Sequence, residues 1–232
     1  MIQDLTGQYI AAILSQYDLS GKDVLEIGCG KGRITRDLAR YARRVVATDP
    51  DVKALEAASH TTAAANVTFM HAPSGVSDLP AGSFDVVIYS LSLHHVPVAE
   101  MPASLAAAAG LLCREGVIIV VEPGDGGSFT EAKERFAAGS GDERPARRAA
   151  IHAMQSLAGW TVGETGHFRT LFQFADDEDF LVSMLPNYRQ QPEAFLHAVR
   201  GFLFQHRGTS GLILEASRRL NVLRPDVRRV QS

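Results

Sequence analysis

The chain has 232 residues, 46% of them hydrophobic and 21% charged, and carries a formal net charge of −3. This is the composition of an ordinary globular domain, and its slight acidity excludes a global electrostatic attraction to nucleic acid or to an acidic membrane. No apolar run is long enough to span a bilayer, the N-terminal segment lacks the basic start and apolar middle of a secretory signal, and the two cysteines, Cys29 and Cys113, have no metal-ligand or disulfide-framework spacing, so a cytoplasmic chain without a metal is expected.

An amphipathic helix is expected over Leu5–Tyr17, where Leu5, Tyr9, Ala12 and Ile13 share one face. Val24–Ile27 reads as a buried strand containing Glu26, and it opens into glycines at 28, 30 and 32 before a helix near Gly32–Arg40. Further strands are expected at Val45–Thr48, Val67–Met70, Val86–Tyr89 and Val117–Val121, with helices at Asp51–Ser59 and Met101–Leu112. Such alternation predicts an α/β fold: a doubly wound, mostly parallel sheet, its strands covered on both faces and its ligand at their carboxyl ends. Glu26, Asp49, Ser90 and Glu122 all fall at such ends. Beyond Pro123 the regular alternation stops. Gly124–Pro145 reads as a glycine-rich, charged connection, followed by a helix (Ala146–Leu157), an alternating strand (His167–Phe174), helical pieces at Asp177–Met184 and Pro192–Gln205, and a last strand, Leu212–Ala216. Arg218, Arg219, Arg224, Arg228 and Arg229, partly offset by Glu215 and Asp226, read as a solvated basic tail.

The glycines carry the first functional signal. They let the backbone turn sharply at the strand end and let a ligand approach with no Cβ in the way. Asp49, at the end of the second strand, stands where an α/β nucleotide fold keeps the carboxylate that accepts hydrogen bonds from two ribose hydroxyls. The dinucleotide pattern requires a glycine at position 33, which is Arg33 here, and this counts against an NAD-type oxidoreductase. The run Glu26-x-Gly28-x-Gly30-x-Gly32, together with Asp49, Phe84–Val96 and Leu111–Pro123, instead resembles the class I S-adenosylmethionine (SAM) dependent methyltransferases over roughly residues 5–123. Within that class the chain looks most like the ubiquinone/menaquinone-biosynthesis-type branch that acts on small molecules.

The resemblance implies a seven-stranded Rossmann-like sheet with an antiparallel last strand and a helical insertion. It implies a single domain divided into a lid helix (1–20), a SAM-binding core (21–123), a connection with strand six and a substrate cap (124–207), and the last strand with its basic tail (208–232). The methyl donor would be SAM, leaving S-adenosylhomocysteine (SAH), and the acceptor an O, N or C nucleophile of a small metabolite. Cofactor contacts are expected from Tyr9, Glu26, Gly28, Cys29, Gly30, Asp49, Pro50, Ser74, Ser90 and Leu91. Where the family places Gly-Asp-Ala after its third strand this chain has His71-Ala72-Pro73-Ser74, so Ser74 or Asp78 would replace the usual adenine-binding acid. His94 and His95 are the candidates for a general base, with one of the two facing the crevice and His94 the better choice; the alternative is that both are scaffold. On the acceptor side stand Glu122, to bind a cationic group or cap a helix, and Tyr188. Tyr188 lies in an insertion (175–207) whose Phe180, Met184, Leu185, Phe195, Phe202 and Phe204 either line an apolar pocket or simply pack it. No nucleic-acid or membrane partner is expected, and the oligomeric state, a homodimer included, stays open. The other functional classes are a SAM-binding protein with a regulatory or non-methyl-transfer role and an NAD-type oxidoreductase.

Overall fold

Aliphatic and β-branched runs become strands, and the amphipathic stretches between them become helices, in the computed structural model, which describes residues 1–76 and 78–226. In chain order the strands are β1 (Ile2–Gln3), β2 (Asp23–Ile27), β3 (Arg44–Asp49), β4 (Val67–His71), β5 (Phe84–Ser90), β6 (Leu112–Pro123), β7 (Trp160–Val162), β8 (Gly166–Phe174), β9 (Arg207–Gly208) and β10 (Gly211–Pro225). The helices are α1 (Gln8–Gln16), α2 (Arg33–Leu38), α3 (Val52–Thr61), α4 (Met101–Gly110), α5 (Ser128–Phe136), α6 (Arg144–Gln155), α7 (Asp177–Met184) and α8 (Glu193–Phe204). These elements form two compact units that interleave along the chain. One takes Ile10–Glu122, Arg144–Gly166 and the chain from Arg219 onward; the other takes Met1–Tyr9, Pro123–Glu143 and His167–Arg218.

The first unit holds the parallel sheet, with strands in the order β4–β3–β2–β5–β6 and β10 next to β6. Alternate residues of its strands, Leu25 and Ile27, Val87 and Tyr89, Ile118 and Val120, pack with Leu105 and Ala108 of α4, Ala150, Ala153 and Met154 of α6, and Leu223 of β10. Each aliphatic side chain fully buried there stabilises the fold by roughly 1.5–3 kcal/mol relative to exposure. The Tyr89 hydroxyl in this layer is satisfied, donating to the Ser104 carbonyl at 3.1 Å. Parallel register sets the ligand end: Glu26 lies opposite Ala47 and Ile88, Asp49 opposite His71, and Ser90 opposite Val121.

The second unit is built on antiparallel pairs, β1 with β8 and β9 with β10. Its core is aromatic. Phe129 of α5 stacks on Phe172 of β8 at 3.8 Å between centroids, Phe174 meets Phe180 edge to face at 5.2 Å, and Phe136 meets Phe202 at 5.5 Å.

The doubly wound α/β fold is as the sequence led us to expect, with several corrections. The seven strands expected are β2–β6, β8 and β10, and among the described residues three short strands of two or three residues, β1, β7 and β9, are added to them. β6 begins at Leu112 rather than Val117, because residues 113–116 bulge between the pairs Phe84–Leu112 and Val86–Val117. The helix after the glycines ends at Leu38. The basic tail is no solvated tail over its described part: Arg218, Arg219 and Arg224 lie within β10, alternating with or adjoining buried Leu220, Val222 and Leu223, and Arg218 is itself buried. Arg228 and Arg229 lie outside the described residues. Of the insertion's aromatics, Phe180, Tyr188 and Phe202 are buried in the second unit's core and Phe195 is packed against it, while Phe204 is 71% exposed. The buried ones pack on one another and on their neighbours in that core.

Candidate functional site

At the carboxyl end of β2 the chain makes a loop that is tied down on one side and open on the other. The Thr48 carbonyl accepts from both Gly28 N–H (2.8 Å) and Cys29 N–H (2.9 Å), which fixes the loop to β3. Gly28 and Gly30 are both left-handed, with φ of 76° and 54°, but glycine is required for different reasons. A Cβ on Gly28 would come within 2.4 Å of the Ser92 Cβ, whereas a Cβ on Gly30 would meet nothing within 4 Å. Gly30 therefore borders open space, and its backbone is presented without a side chain. Asp49 stands beside it, 8% exposed, with Oδ2 accepting from Gly30 N–H at 2.7 Å and Oδ1 from Asp51 N–H at 2.9 Å. Each carboxylate oxygen has two lone pairs, so both retain acceptor capacity for a ligand hydroxyl.

Glu26 is fully buried under this loop, with Ser90 Oγ donating to Oε1 at 2.5 Å and Thr35 Oγ1 to Oε2 at 2.6 Å. Burial pushes its carboxyl above the ordinary range, against the pull of those two hydroxyls and of Arg33. Glu26 thus joins β2, β5 and α2 from within. Ser90, expected to meet the cofactor, spends its hydroxyl on Glu26. Cys29 is an inert buried thiol, raised by desolvation and by the neighbouring Glu26 and Asp49 carboxylates. Sequence reasoning missed Thr35 and Ser92; the latter's hydroxyl donates to the Ile27 carbonyl at 2.5 Å. Neither position carries a spacing signal, because its partner comes from another element.

Past β5 the backbone is strained. Leu91 has φ of 62°, a left-handed conformation that costs a non-glycine residue about 1–2 kcal/mol, and it is held by its N–H donating to the Val121 carbonyl at 2.8 Å. The chain then makes a 3-10 turn, Leu93–His95. The turn brings the two imidazoles together, 4.0 Å between centroids, instead of directing them to opposite sides as a strand end would. His94 is buried and His95 exposed. His94 Nδ1 stands 2.6 Å from Glu122 Oε2, and Glu122 is 1% exposed. The two groups form a close buried contact, and the His94 backbone N–H faces the same carboxylate at 3.4 Å from Oε1. Glu122 is buried against His94 and caps no helix, since the next helix, α5, begins only at Ser128.

The remaining expected residues lie elsewhere. Pro50 and Ser74 are exposed on the loops after β3 and β4; the Pro50 carbonyl accepts from His71 Nε2 at 3.2 Å, and Ser74 Oγ donates to the Val76 carbonyl at 3.0 Å. Asp78 is exposed. Tyr9 and Tyr188 belong to the second unit. The Tyr9 hydroxyl accepts from Arg218 Nε at 2.5 Å, while the Tyr188 hydroxyl donates to Glu178 and accepts from Arg189 Nε at 3.0 Å. Among the described residues no helix is long and apolar enough to cross a membrane.

A family model described as a methyltransferase domain matches residues 24–116, which contain the glycine loop, Asp49 and the His94–His95 turn. An uncharacterized methyltransferase of Mycobacterium tuberculosis is 32% identical over 113 residues, 49% of this chain and 56% of that protein. A ubiquinone biosynthesis O-methyltransferase of Nitrosococcus oceani is 31% identical over 118 residues, 50% of this chain and 49% of that protein. The chain thus spans about half the length of these curated relatives. The solved structure of the YcgJ protein from Bacillus subtilis has the same fold, with a TM-score of 0.62 over 94% of this chain and 98% of that one at 13% identity.

Proposed function

We propose that this chain, whose residues 24–116 match a methyltransferase-domain model, is a class I SAM-dependent methyltransferase that transfers a methyl group from SAM to a small-molecule nucleophile. The observation that carries the reading is the open face of Gly30 beside Asp49, a cradle that a Cβ would fill and that has an acid at hand for ribose hydroxyls. Gly28, Cys29, Gly30, Asp49, Pro50, Ser74 and Leu91 would hold the nucleotide, with Glu26 and Ser90 acting through the loop and β5 they brace. The sulfonium of SAM supplies an already activated methyl group. What is left to the protein is to hold the acceptor near attack distance in line with the sulfur–methyl bond, to exclude water, and to take up a proton if the nucleophile arrives protonated. His94 is the group for that proton, with Glu122 Oε2 2.6 Å from its Nδ1 to steady the imidazole.

Calorimetry with SAH on the wild type and on Asp49→Ala tests the site. Loss of the ribose hydrogen bonds, with loosening of Gly30, should weaken SAH by ~30- to 1,000-fold. A loss below about threefold removes Asp49 from the role, and binding of NAD in place of SAH overturns the whole reading. Transfer of labelled methyl from SAM into a metabolite pool tests the activity itself.

A further inference from the structure

A buried serine joins the glycine loop to the turn that carries His94. Ser92, at the N-terminal end of that 3-10 turn, is buried, and its hydroxyl donates to the carbonyl of Ile27, the last residue of β2, at 2.5 Å. The next residue, Gly28, is packed on the same side chain: a Cβ there would come within 2.4 Å of the Ser92 Cβ and 3.0 Å of its Oγ. From the other side the Gly28 N–H is bonded to the Thr48 carbonyl of β3, so the start of the loop is held between β3 and Ser92. Towards its own turn, Ser92 offers its carbonyl to the His95 N–H at 3.1 Å, and Leu93 is sealed in the core of the parallel sheet. Leu91, just before it, is tied to the Val121 carbonyl in the left-handed conformation that an L side chain resists. All of these residues belong to one compact unit.

Backbone strain persists only where the surrounding contacts over-determine it. At Leu91 and Ser92 those contacts are the Val121 and Ile27 carbonyls, so the chain leaving β5 is clamped by β6 and β2, the strands on either side of it. The serine does more than fill space. Alanine would pack on Gly28 through the same Cβ but leave the Ile27 carbonyl without this donor. The contact also explains why residue 28 is glycine, since the place a Cβ would take is filled by Ser92 and not left for a ligand. We propose that Ser92 is a positioning residue of the site: its hydrogen bond to β2 and its packing on Gly28 hold the His94 turn in register with the glycine loop, so that imidazole and loop move as one piece. This rests on the methyl-transfer reading, in which the loop holds the donor and His94 takes the acceptor's proton. Transfer needs those two groups at a fixed separation, and a misplacement of about 1 Å can cost ~10²-fold in rate.

NMR of the histidine-labelled full chain, with the His94 ring signal identified by its loss in His94→Gln, tests the assignment together with calorimetry using SAH. In ligand-free Ser92→Ala the His94 signal should shift and broaden while circular dichroism shows the wild-type fold, and SAH should weaken by ~3- to 10-fold. Gly28→Ala should displace Ser92 and with it the His94 signal, and should weaken SAH by at least ~10-fold. Adding Ser92→Gly to Gly28→Ala removes the overlapping Cβ and should recover at least ~3-fold of the SAH affinity, with the His94 signal still displaced because the hydroxyl is missing. A Ser92→Ala protein that melts at a lower temperature but keeps the wild-type His94 signal and SAH affinity makes Ser92 structural only and overturns the proposal. An unmoved His94 signal in Gly28→Ala overturns it too, as does a double variant that binds SAH no better than Gly28→Ala. If Ser92→Ala does not fold, Ser92→Cys, a weaker donor on the same Cβ, takes its place with the same expected shift. Failure of the wild type to bind SAH would count against methyl transfer, and is read separately from the His94 signal, which is recorded without ligand.

Discussion

His94 and Glu26 show how two buried ionisable side chains near one loop serve different ends. His94→Ala should lower kcat by ~10²- to 10⁴-fold for an acceptor that arrives protonated, with SAH affinity within about twofold of the wild type in calorimetry. Glu26 bears on stability instead. Its carboxyl is held above the usual range by burial, so the folded protein keeps that proton after the unfolded chain has released it. Stability therefore falls as pH rises from the ordinary glutamate value through the raised one. Glu26→Gln cannot ionise, and urea unfolding across a pH series should show the variant gaining on the wild type as pH climbs. At this scale the sequence was legible where chemistry and spacing coincide: Glu26, Gly30 and Asp49 fall at the expected strand ends. It was not legible where a partner comes from elsewhere in the chain. Nothing in the spacing says that Thr35 and Ser90 donate to Glu26, or that a 3-10 turn would set His94 against Glu122.

Among the elements, the parallel strands were readable because each is a continuous apolar run covered on both faces, and their observed bounds differ from the expected ones by a residue or two except in β6. In the sequence β10 reads as five residues followed by a tail, because its arginines break the apolar alternation; the strand persists through them since Leu220, Val222 and Leu223 continue to be buried. The aromatic run after β8 has a stability role that can be measured. Phe174 and Phe180 are both fully buried and meet edge to face. Each replaced by Ala should cost about 3–5 kcal/mol in denaturant unfolding, and the double variant should fall short of the sum by about 0.5–1.5 kcal/mol, the coupling expected of such a ring pair.

For the molecule as a whole, the core expected at residues 21–123 shares its compact unit with Arg144–Gly166 and the part of β10 from Arg219. The helix face of its sheet is covered by Ala150, Ala153 and Met154, and Leu223 completes the same cluster from β10. A fragment of residues 1–123 would keep α4 on that face and leave in water the part that Ala150, Ala153, Met154 and Leu223 bury. It should lack cooperative thermal unfolding and bind a hydrophobic dye, while the full chain melts in a sharp transition; a fragment with native-like melting would show these later segments to be dispensable. The interleaving also fixes an order of events during synthesis. β10 contributes Gly211–Arg218 to one unit and Arg219–Pro225 to the other, so neither is complete until that strand has been made. At ribosomal rates of 5–20 residues per second, the roughly hundred residues between Glu122 and β10 leave the nascent parallel strands waiting ~5–20 s for their last partner. Over that interval apolar strand faces and an unpaired sheet edge stay open on the nascent chain.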